Sequence, residues 1–333
     1  MPADRPTRRR RLLVGLAGLA AAPHGLRAAM AQGTAWAPTR PLRLVVPFAA
    51  GGSADQTARM LAEPMAAALG QPVVVENRPG GGATLGAQLV ARAAPDGLTL
   101  LYGTPGPQII NPHLMRSLPY DPERDFAPVV GVKRAPNLLC VHPSVAAGSV
   151  PELVALAKAQ PGRLAFASSG VGSSSHLAGE MLKHMAGVEM VHVPYRGTGP
   201  ATTELLSGNV QVAIDTLSVL LPHARGFALR ALAVSTPQRS PLVPELPAIA
   251  ETLPGFDAAP FNYLAAPAGT PPAAVTRLNA VVNAILADPD FRRRMAEMGE
   301  EPVGGTPEEL AGTIRAESAR WKAVIAAAGI KAE

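Results

Sequence analysis

Short apolar segments alternate with longer segments of helical periodicity along almost the whole chain. The short segments are rich in Val, Leu and Ile and predict eight strands, at 43–48, 73–76, 98–102, 137–141, 164–167, 190–193, 210–214 and 229–234. Between most of them, apolar residues recur three and four positions apart, which is typical of helices that pack one face on a sheet. Because such alternation is the pattern of βαβ units, we predict an α/β fold with mainly parallel sheets.

Several helix starts are marked by capping residues. Ser149 and Thr306 each precede a Glu by three positions, which predicts hydroxyl-capped helices at both places. Asp288 with Pro289 marks another start, and the closing helix is predicted from Pro307 to about residue 328. Pro64 lies inside the helical segment 55–69 and should kink or split that helix.

The N-terminus has the three regions of an export signal. A cluster of Arg at 8–11 precedes the apolar run 12–22, and Ala29-Met30-Ala31 supplies small residues for cleavage after Ala31. The apolar run is shorter than the roughly 20 residues that span a bilayer. We therefore expect residues 1–31 to be a signal peptide and the mature protein to be exported and soluble, with either general secretion or twin-arginine export as the route.

The basic character of the chain belongs to this leader. Residues 1–31 hold six Arg and one acid, so the rest of the chain carries 24 basic and 24 acidic residues. A formally neutral chain has no general attraction for nucleic acid or anionic membrane. About 300 residues exceed what one hydrophobic core usually organises, so two lobes are expected, one of them built from discontinuous segments.

Cysteine and enzyme motifs give no indication of catalysis. Cys140 is the only cysteine, so no intramolecular disulfide can form, and its apolar surroundings predict a buried, unreactive thiol. The sequence has no nucleophile elbow, phosphate-binding loop, zinc-binding H-E-x-x-H or C-x-x-C motif. We predict no catalytic residue, no metal and no cofactor. A Ser-His-Asp triad assembled in space stays open from the sequence alone.

The first candidate binding loop follows the first predicted strand. Its small residues allow a ligand to approach the backbone, and Ser53 and Gln56 are spaced as a capping box. The free N–H groups of the helix start could hold a carboxylate, although an ordinary capped turn explains the same residues. The candidate ligand-binding residues here are Phe48, Ala50, Gly51, Gly52, Ser53 and Asp55.

The second candidate loop follows the strand at 164–167 and carries more hydroxyl and amide donors than a cap requires. Thr104 lies in a Pro- and Gly-rich turn after the third strand, which could equally bind ligand or be a plain loop. Asp215 follows the strand at 210–214, where it could bind a ligand amine or cap the next helix. His176 could contact ligand or serve packing. Ligands of open α/β sheets lie beyond the carboxyl ends of the strands, which is where these residues fall. The candidates in the second loop are Ser168, Ser169, Gly172, Ser173 and His176.

At these loops the chain resembles the Bug family, the extracytoplasmic receptors of tripartite tricarboxylate transport systems. The matching stretches run in family order and are VPFAAGGSAD (46–55), ENRPG (76–80), PYDP (119–122), DF (125–126), FASSGVG (166–172), HLAGE (176–180), HVPYRG (192–197) and APAGTP (266–271). The chain departs from the family in having Ala83 where Gly is frequent, and in lacking a Trp that is frequent near Phe261.

The resemblance implies a type II periplasmic-binding-protein fold with two α/β lobes joined by a two-connection hinge. We expect lobe 1 to comprise 38–134 and 236–333, and lobe 2 to comprise 135–235. The expected function is capture of a small carboxylate by lobe closure, for delivery to the permease subunits of a tripartite tricarboxylate transporter, with the receptor acting as a monomer. A ligand sensor and an exported serine hydrolase are the alternatives.

Overall fold

The computed structural model describes residues 36–330. The expected signal peptide and its cleavage point at Ala31 lie outside the described residues. None of the helices in the described part of the chain combines the length and the apolar character that crossing a bilayer requires.

Eleven strands lie within residues 36–330. They are β1 (Leu42–Val46), β2 (Val73–Asn77), β3 (Thr99–Gly103), β4 (Phe126–Arg134), β5 (Asn137–Val141), β6 (Ala165–Ser168), β7 (Val191–Pro194), β8 (Val212–Thr216), β9 (Arg230–Val234), β10 (Phe261–Pro267) and β11 (Glu301–Gly304). A six-stranded sheet has the order β11-β4-β10-β3-β1-β2, and a five-stranded sheet has the order β7-β6-β8-β5-β9.

Ten α-helices connect and cover these strands within the same range. They are α1 (Ser53–Leu69), α2 (Thr84–Ala91), α3 (Asn111–Leu114), α4 (Val150–Ala159), α5 (Ser174–Ala186), α6 (Thr198–Leu206), α7 (Leu217–Arg225), α8 (Pro272–Ala287), α9 (Pro289–Glu297) and α10 (Pro307–Ala328). A π-helical turn, Gly106–Ile110, precedes α3. We call the six-stranded sheet with its helices lobe 1 and the five-stranded sheet with its helices lobe 2.

Two connections join the sheets. The chain passes from lobe 1 to lobe 2 between β4 and β5, and it returns between β9 and β10. The two crossing segments are bonded to each other, because Asn137 N–H donates to Ser235 Oγ and Ser235 N–H donates to Asn137 O, both at 2.9 Å. The predicted α/β fold with two lobes and a two-connection hinge is therefore confirmed.

The prediction of mainly parallel sheets is wrong. β1 pairs in parallel with β2 and β3, and β6 with β7 and β8, but β10 runs antiparallel to β3 and β4, β11 to β4, and β5 to β8 and β9. The pattern missed β4, β10 and β11. The strand signal is weak in β4 because it contains Pro and Gly, and weak in β11 because it is short and contains Pro. These segments form strands because they pair with neighbouring strands, although their intrinsic strand propensity is low.

Local predictions at helix termini and in the core have mixed outcomes. Thr306 forms the complete capping box with Glu309, and Ser149 accepts from the Glu152 N–H as a cap. Cys140 is buried with no exposed surface, and desolvation raises the pKa of its thiol, as the apolar surroundings predicted. Pro64 does not split α1, which runs unbroken from Ser53 to Leu69.

The candidate ligand pocket

A small pocket lies between the loops of the two sheets. Its volume is about 40 Å³, the space of a few water molecules. Lobe 1 contributes Phe48, Gly52, Ser53 and Thr104, and lobe 2 contributes Ser169, Ser173 and Asp215. The structure thus brings seven of the thirteen candidate residues to one cavity.

Four helices start at this pocket. The residues that line it include Ser53 of α1, Ser174 of α5 and Thr198 of α6, together with Thr216, which precedes α7. Helix N-termini offer unpaired N–H groups and partial positive charge. Among the described lining residues there is no Lys, Arg or His, so among these residues the helix starts supply the positive potential.

Asp55 braces the first loop instead of facing the pocket. Its carboxylate accepts from the Gly51 N–H at 2.9 Å and from Arg59 and Asn77 at 3.0 Å. Burial opposes ionisation of this carboxyl, but the hydrogen bonds from Arg59, Gly51 and Asn77 lower its pKa below the ordinary value. Asp55 therefore fixes the loop conformation, and Ala50 and Gly51 lie exposed at its outer side.

Ser53 does not cap α1 as its spacing from Gln56 predicted. Gly52 is the residue before the helix, and no side chain of the described residues caps this helix start. The Ser53 hydroxyl instead accepts a 2.7 Å hydrogen bond from Lys133 Nζ. Lys133 is buried and pairs with Glu300. The charged pair lies behind Ser53, on the side away from the pocket.

Hydrogen bonds among serines hold the second loop. Ser173 caps α5 by accepting from the His176 N–H, and the Ser175 hydroxyl lies 2.9 Å from Ser169 Oγ and 3.1 Å from Ser173 Oγ. The Ser169 N–H also donates to Ser175 Oγ at 2.9 Å. This arrangement presents Ser169 and Ser173 to the pocket in one fixed geometry.

His176 and Ser168 lie behind the second loop, not in the pocket. The His176 ring stacks on His192 with 4.1 Å between centroids, and its Nδ1 accepts from the Gly172 N–H. Ser168 Oγ lies 2.6 Å from His192 Nε2. Burial, with the nearby His192 and Lys183, lowers the pKa of His176 to about 3, and burial lowers that of His192 to about 4. Both rings are therefore neutral and serve packing. His176 does not line the pocket, so the predicted ligand contact by its ring is not found.

Two pocket groups have an atom with no hydrogen-bond partner in the described part of the chain. Thr104 Oγ1 is buried and free, although its own carbonyl accepts from the Tyr263 hydroxyl at 3.2 Å. Asp215 Oδ1 accepts from Thr198 Oγ1 at 2.9 Å and from the Thr216 N–H at 2.7 Å, while Oδ2 is free. Burial raises the pKa of the Asp215 carboxyl. Both atoms are buried on residues that line the pocket, so a ligand reaches them only if the pocket opens.

Sequence reasoning missed several lining residues. Thr198 and Thr216 both donate hydrogen bonds to Asp215 Oδ1. Pro260 and Asn262 come from the return connection and β10. Thr198 follows Gly197, whose φ of 142° turns the chain into α6. The family motif HVPYRG ends at Gly197, directly before Thr198, and is the sequence feature that could have indicated this part of the pocket.

A second, open cavity adjoins the pocket. It has a volume of about 870 Å³ and shares Phe48 and Ser169 with the pocket. Gly82 of lobe 1 and Val171 of lobe 2 line it, with Arg116 and Arg196 also at its wall. This cavity is therefore the solvent side of the cleft between the loops.

No cluster of metal-binding side chains occurs among residues 36–330.

Loops of two α/β lobes that enclose a pocket, with a two-connection hinge behind it, define the class of periplasmic solute-binding proteins. Solved structures agree. The R. palustris protein Rpa4515 with adipate is 40% identical with a TM-score of 0.86, over 88% of this chain and 99% of that one. MatC from Rhodopseudomonas palustris with bound malate is 35% identical with a TM-score of 0.83, over 86% of this chain and 99% of that one.

Sequence relatives define the family. Residues 57–330 match the Tripartite tricarboxylate transporter family receptor, and the chain belongs to this family. Protein BugT of Bordetella pertussis is 37% identical over 321 residues, which cover 96% of this chain and 98% of BugT. The resemblance to the Bug family is thus confirmed, and the protein is a solute-binding receptor.

Proposed function

We propose that this receptor binds a small carboxylate in the pocket between the lobes. The observation that carries the proposal is the convergence of four helix N-termini on a pocket whose described lining holds no cationic side chain. Such N-termini bind anions through backbone N–H groups and the helix dipole. The related structures with adipate and with malate support the same ligand class.

Capture in this proposal requires the lobes to move. A pocket of about 40 Å³ is too small to enclose a dicarboxylic acid, so we propose that the lobes separate to admit the ligand. We propose boundaries at 134/135 and 235/236, where the bonded segments at Asn137 and Ser235 would act as the hinge. The ligand then stabilises the closed form because it contacts both lobes only in that form.

The proposal extends to location and partners. Export by a signal peptide cleaved near Ala31 would place the receptor in the periplasm, and its family assignment suggests the permease subunits of a tripartite tricarboxylate transporter as partners. We propose that the receptor acts as a monomer that presents its closed form to these subunits and has no nucleic-acid partner.

Binding without catalysis is also part of the proposal. Ser168 and His192 are in contact, as in a nucleophile and base pair, but Ser168 has no exposed surface. His192 Nδ1 has no hydrogen-bond partner within 36–330, so the orienting third group of a triad is missing there. The contact therefore supports packing behind the second loop rather than hydrolysis.

Thermal unfolding with a library of carboxylic acids tests the proposal. The purified protein is first unfolded and refolded to remove bound molecules, and each acid is then added. A ligand at a hundredfold excess over Kd stabilises the folded state by about 2.7 kcal/mol, so at least one acid should raise the melting temperature by several degrees. Neutral diamides of the same acids should give no shift.

A glycine substitution provides the site control. A Cβ on Gly52 would lie 3.6 Å from Gly199 N at the start of α6 in the opposite lobe, so the longer side chain of Gly52→Leu should obstruct closure of the pocket around a ligand. Gly148→Leu makes the same change beside an exposed helix start. The acid shift should disappear in Gly52→Leu and persist in Gly148→Leu. Absence of any shift in the unaltered protein across the library would refute carboxylate binding.

A further inference from the structure

A fully buried ion pair lies behind the pocket, outside its lining. Lys133 of β4 and Glu300, just before β11, have 1% and 0% of their side chains exposed, and Lys133 Nζ contacts Glu300 Oε1. Burial lowers the pKa of Lys133, and the neighbouring Glu300 carboxylate opposes that shift. Because a buried pair adds little net stability compared with apolar side chains, its position next to Ser53 suggests a role in binding.

The hydrogen bonds of Lys133 account for all three ammonium protons. Nζ donates to Glu300 Oε1, to Thr57 Oγ1 at 2.9 Å and to Ser53 Oγ at 2.7 Å. Thr57 Oγ1 lies 2.9 Å from Glu300 Oε2 and 3.0 Å from the Ser53 carbonyl oxygen, so its proton has acceptors. Ser53 is the one member of this group that also lines the pocket.

This arrangement fixes the direction of the Ser53 hydroxyl. An ammonium group has no acceptor, so Ser53 Oγ must accept from Lys133 and its own proton must point elsewhere. Ser53 is 5% exposed and faces the pocket at the start of α1. The hydroxyl therefore offers a hydrogen-bond donor to the pocket, and the adjacent ammonium group polarises it.

We propose that Lys133 is a positioning residue for ligand recognition: it holds the Ser53 hydroxyl as a donor to a carboxylate oxygen of the ligand, and Glu300 keeps Lys133 in place. This inference rests on the proposed function, because it requires an anionic acceptor in the pocket. A donor held in this direction favours ligands that place a hydrogen-bond acceptor next to Ser53. The helix dipole alone would not impose this preference.

A double-mutant cycle between the ion pair and Ser53 tests this role. Lys133→Met with Glu300→Gln removes the pair without leaving one buried charge uncompensated. The probe is the tightest binder found by calorimetry for the unaltered protein among acetate, succinate, malate and adipate. Loss of a charge-assisted hydrogen bond should weaken binding about tenfold.

The single variant Ser53→Ala should lose about the same factor, since it removes the donor itself. When the pair substitution is combined with Ser53→Ala, the Kd should rise by less than a further factor of two over that of Ser53→Ala alone. Matched substitutions Lys183→Met with Glu180→Gln remove a partly buried pair on α5 and should leave the Kd unchanged. A purely structural role for Lys133 would instead lower the melting temperature and add to Ser53→Ala in full.

The outcomes separate this inference from the proposed function. If the unaltered protein binds an acid but Ser53→Ala or the pair variant binds it equally well, the role of Lys133 is refuted and carboxylate capture stands. Full additivity in the cycle refutes it in the same way. If the unaltered protein binds none of the four acids, the acid that gives the largest melting-temperature shift in the library replaces them as the probe, and if no acid gives a shift both fall together. Should the pair variant fail to fold, equal affinity of Ser53→Ala and the unaltered protein still refutes the role, because Lys133 acts on the ligand only through the Ser53 hydroxyl.

Discussion

The backbone N–H of Ala49 donates a 2.9 Å hydrogen bond to the carbonyl oxygen of Arg196. Ala49 lies in the loop after β1 and Arg196 in the loop after β7, so this bond joins the two lobes beside the pocket. One such bond contributes about 0.5–1.5 kcal/mol net. Apolar packing also crosses between the lobes, since α10 of lobe 1 contacts α5 of lobe 2, and we expect a ligand that contacts both lobes to favour the closed form further.

A single methyl group at Gly82 should keep the lobes apart. A Cβ there would overlap the carbonyl oxygen of Val171 in the opposite lobe, so the two loops must move apart to accommodate it. We expect Gly82→Ala to weaken acid binding at least tenfold, measured by calorimetry. Small-angle scattering should give the same radius of gyration with and without acid, whereas the unaltered protein should contract.

Gly162→Ala is the control for this substitution. Gly162 has a φ of 69° against 60° for Gly82, so Ala is strained to a similar extent at both positions, but no described atom lies within 4 Å of a Cβ at 162. It should bind acid with the Kd of the unaltered protein. Equal affinity of Gly82→Ala and Gly162→Ala would show that binding does not need this degree of closure.

The sequence predicted the parallel part of the fold better than the antiparallel part. All eight predicted strands occur, and their ends differ from the observed ones by two residues or fewer. The three missed strands belong to lobe 1, where β4 contains Pro128 and Gly131 and the β10 segment ends in Ala-Ala-Pro. These segments become strands because they pair with strands far away in the sequence, and local periodicity does not reveal such pairing.

The pocket could be predicted only where a loop follows a recognised strand. Ser53, Thr104 and Ser169 were candidates for that reason, and the structure brings them together. Lys133 could not be found, because it lies on a missed strand and its role depends on Glu300, 167 residues further along the chain. His176 was misplaced because a helix start does not reveal on which side of the loop a ring packs.

Ala83 holds a backbone conformation that suits glycine. Its φ is 74°, and it immediately precedes α2 with 2% of its surface exposed. The left-handed conformation costs a residue with a Cβ about 1–2 kcal/mol, and the extra unfolded-state entropy of glycine offsets part of that. We expect Ala83→Gly to raise the free energy of unfolding by about 0.5–1 kcal/mol, measured with urea.

Ala87 supplies the comparison within the same helix. It lies inside α2 (Thr84–Ala91) and is fully buried. Glycine in a helix interior costs about 1 kcal/mol relative to alanine, so Ala87→Gly should lower the free energy of unfolding. If Ala83→Gly also lowers it, the strain at position 83 is smaller than its backbone conformation indicates.

The stacked rings of His176 and His192 should make folding stability depend on pH. Burial, first among the causes, lowers their pKa values to about 3 and about 4 in the folded protein, below the ordinary value of 6.5. Between about pH 6.5 and pH 4 the two imidazole rings therefore bind protons in the unfolded chain but remain neutral in the folded protein. The free energy of unfolding should fall as pH falls through this window, by up to about 1.4 kcal/mol per pH unit for each ring.

Comparing slopes isolates this contribution from the carboxylates that titrate nearby. Urea unfolding from pH 7 to pH 4.5 is measured for the unaltered protein, His192→Gln and His184→Gln, the last at an exposed position on α5. His192→Gln should reduce the slope below pH 6.5 by up to about 1.4 kcal/mol per pH unit, whatever its stability at pH 7. His184→Gln should keep the original slope. Equal slopes for all three proteins would mean that the His192 ring accepts a proton in the folded state as readily as in the unfolded chain.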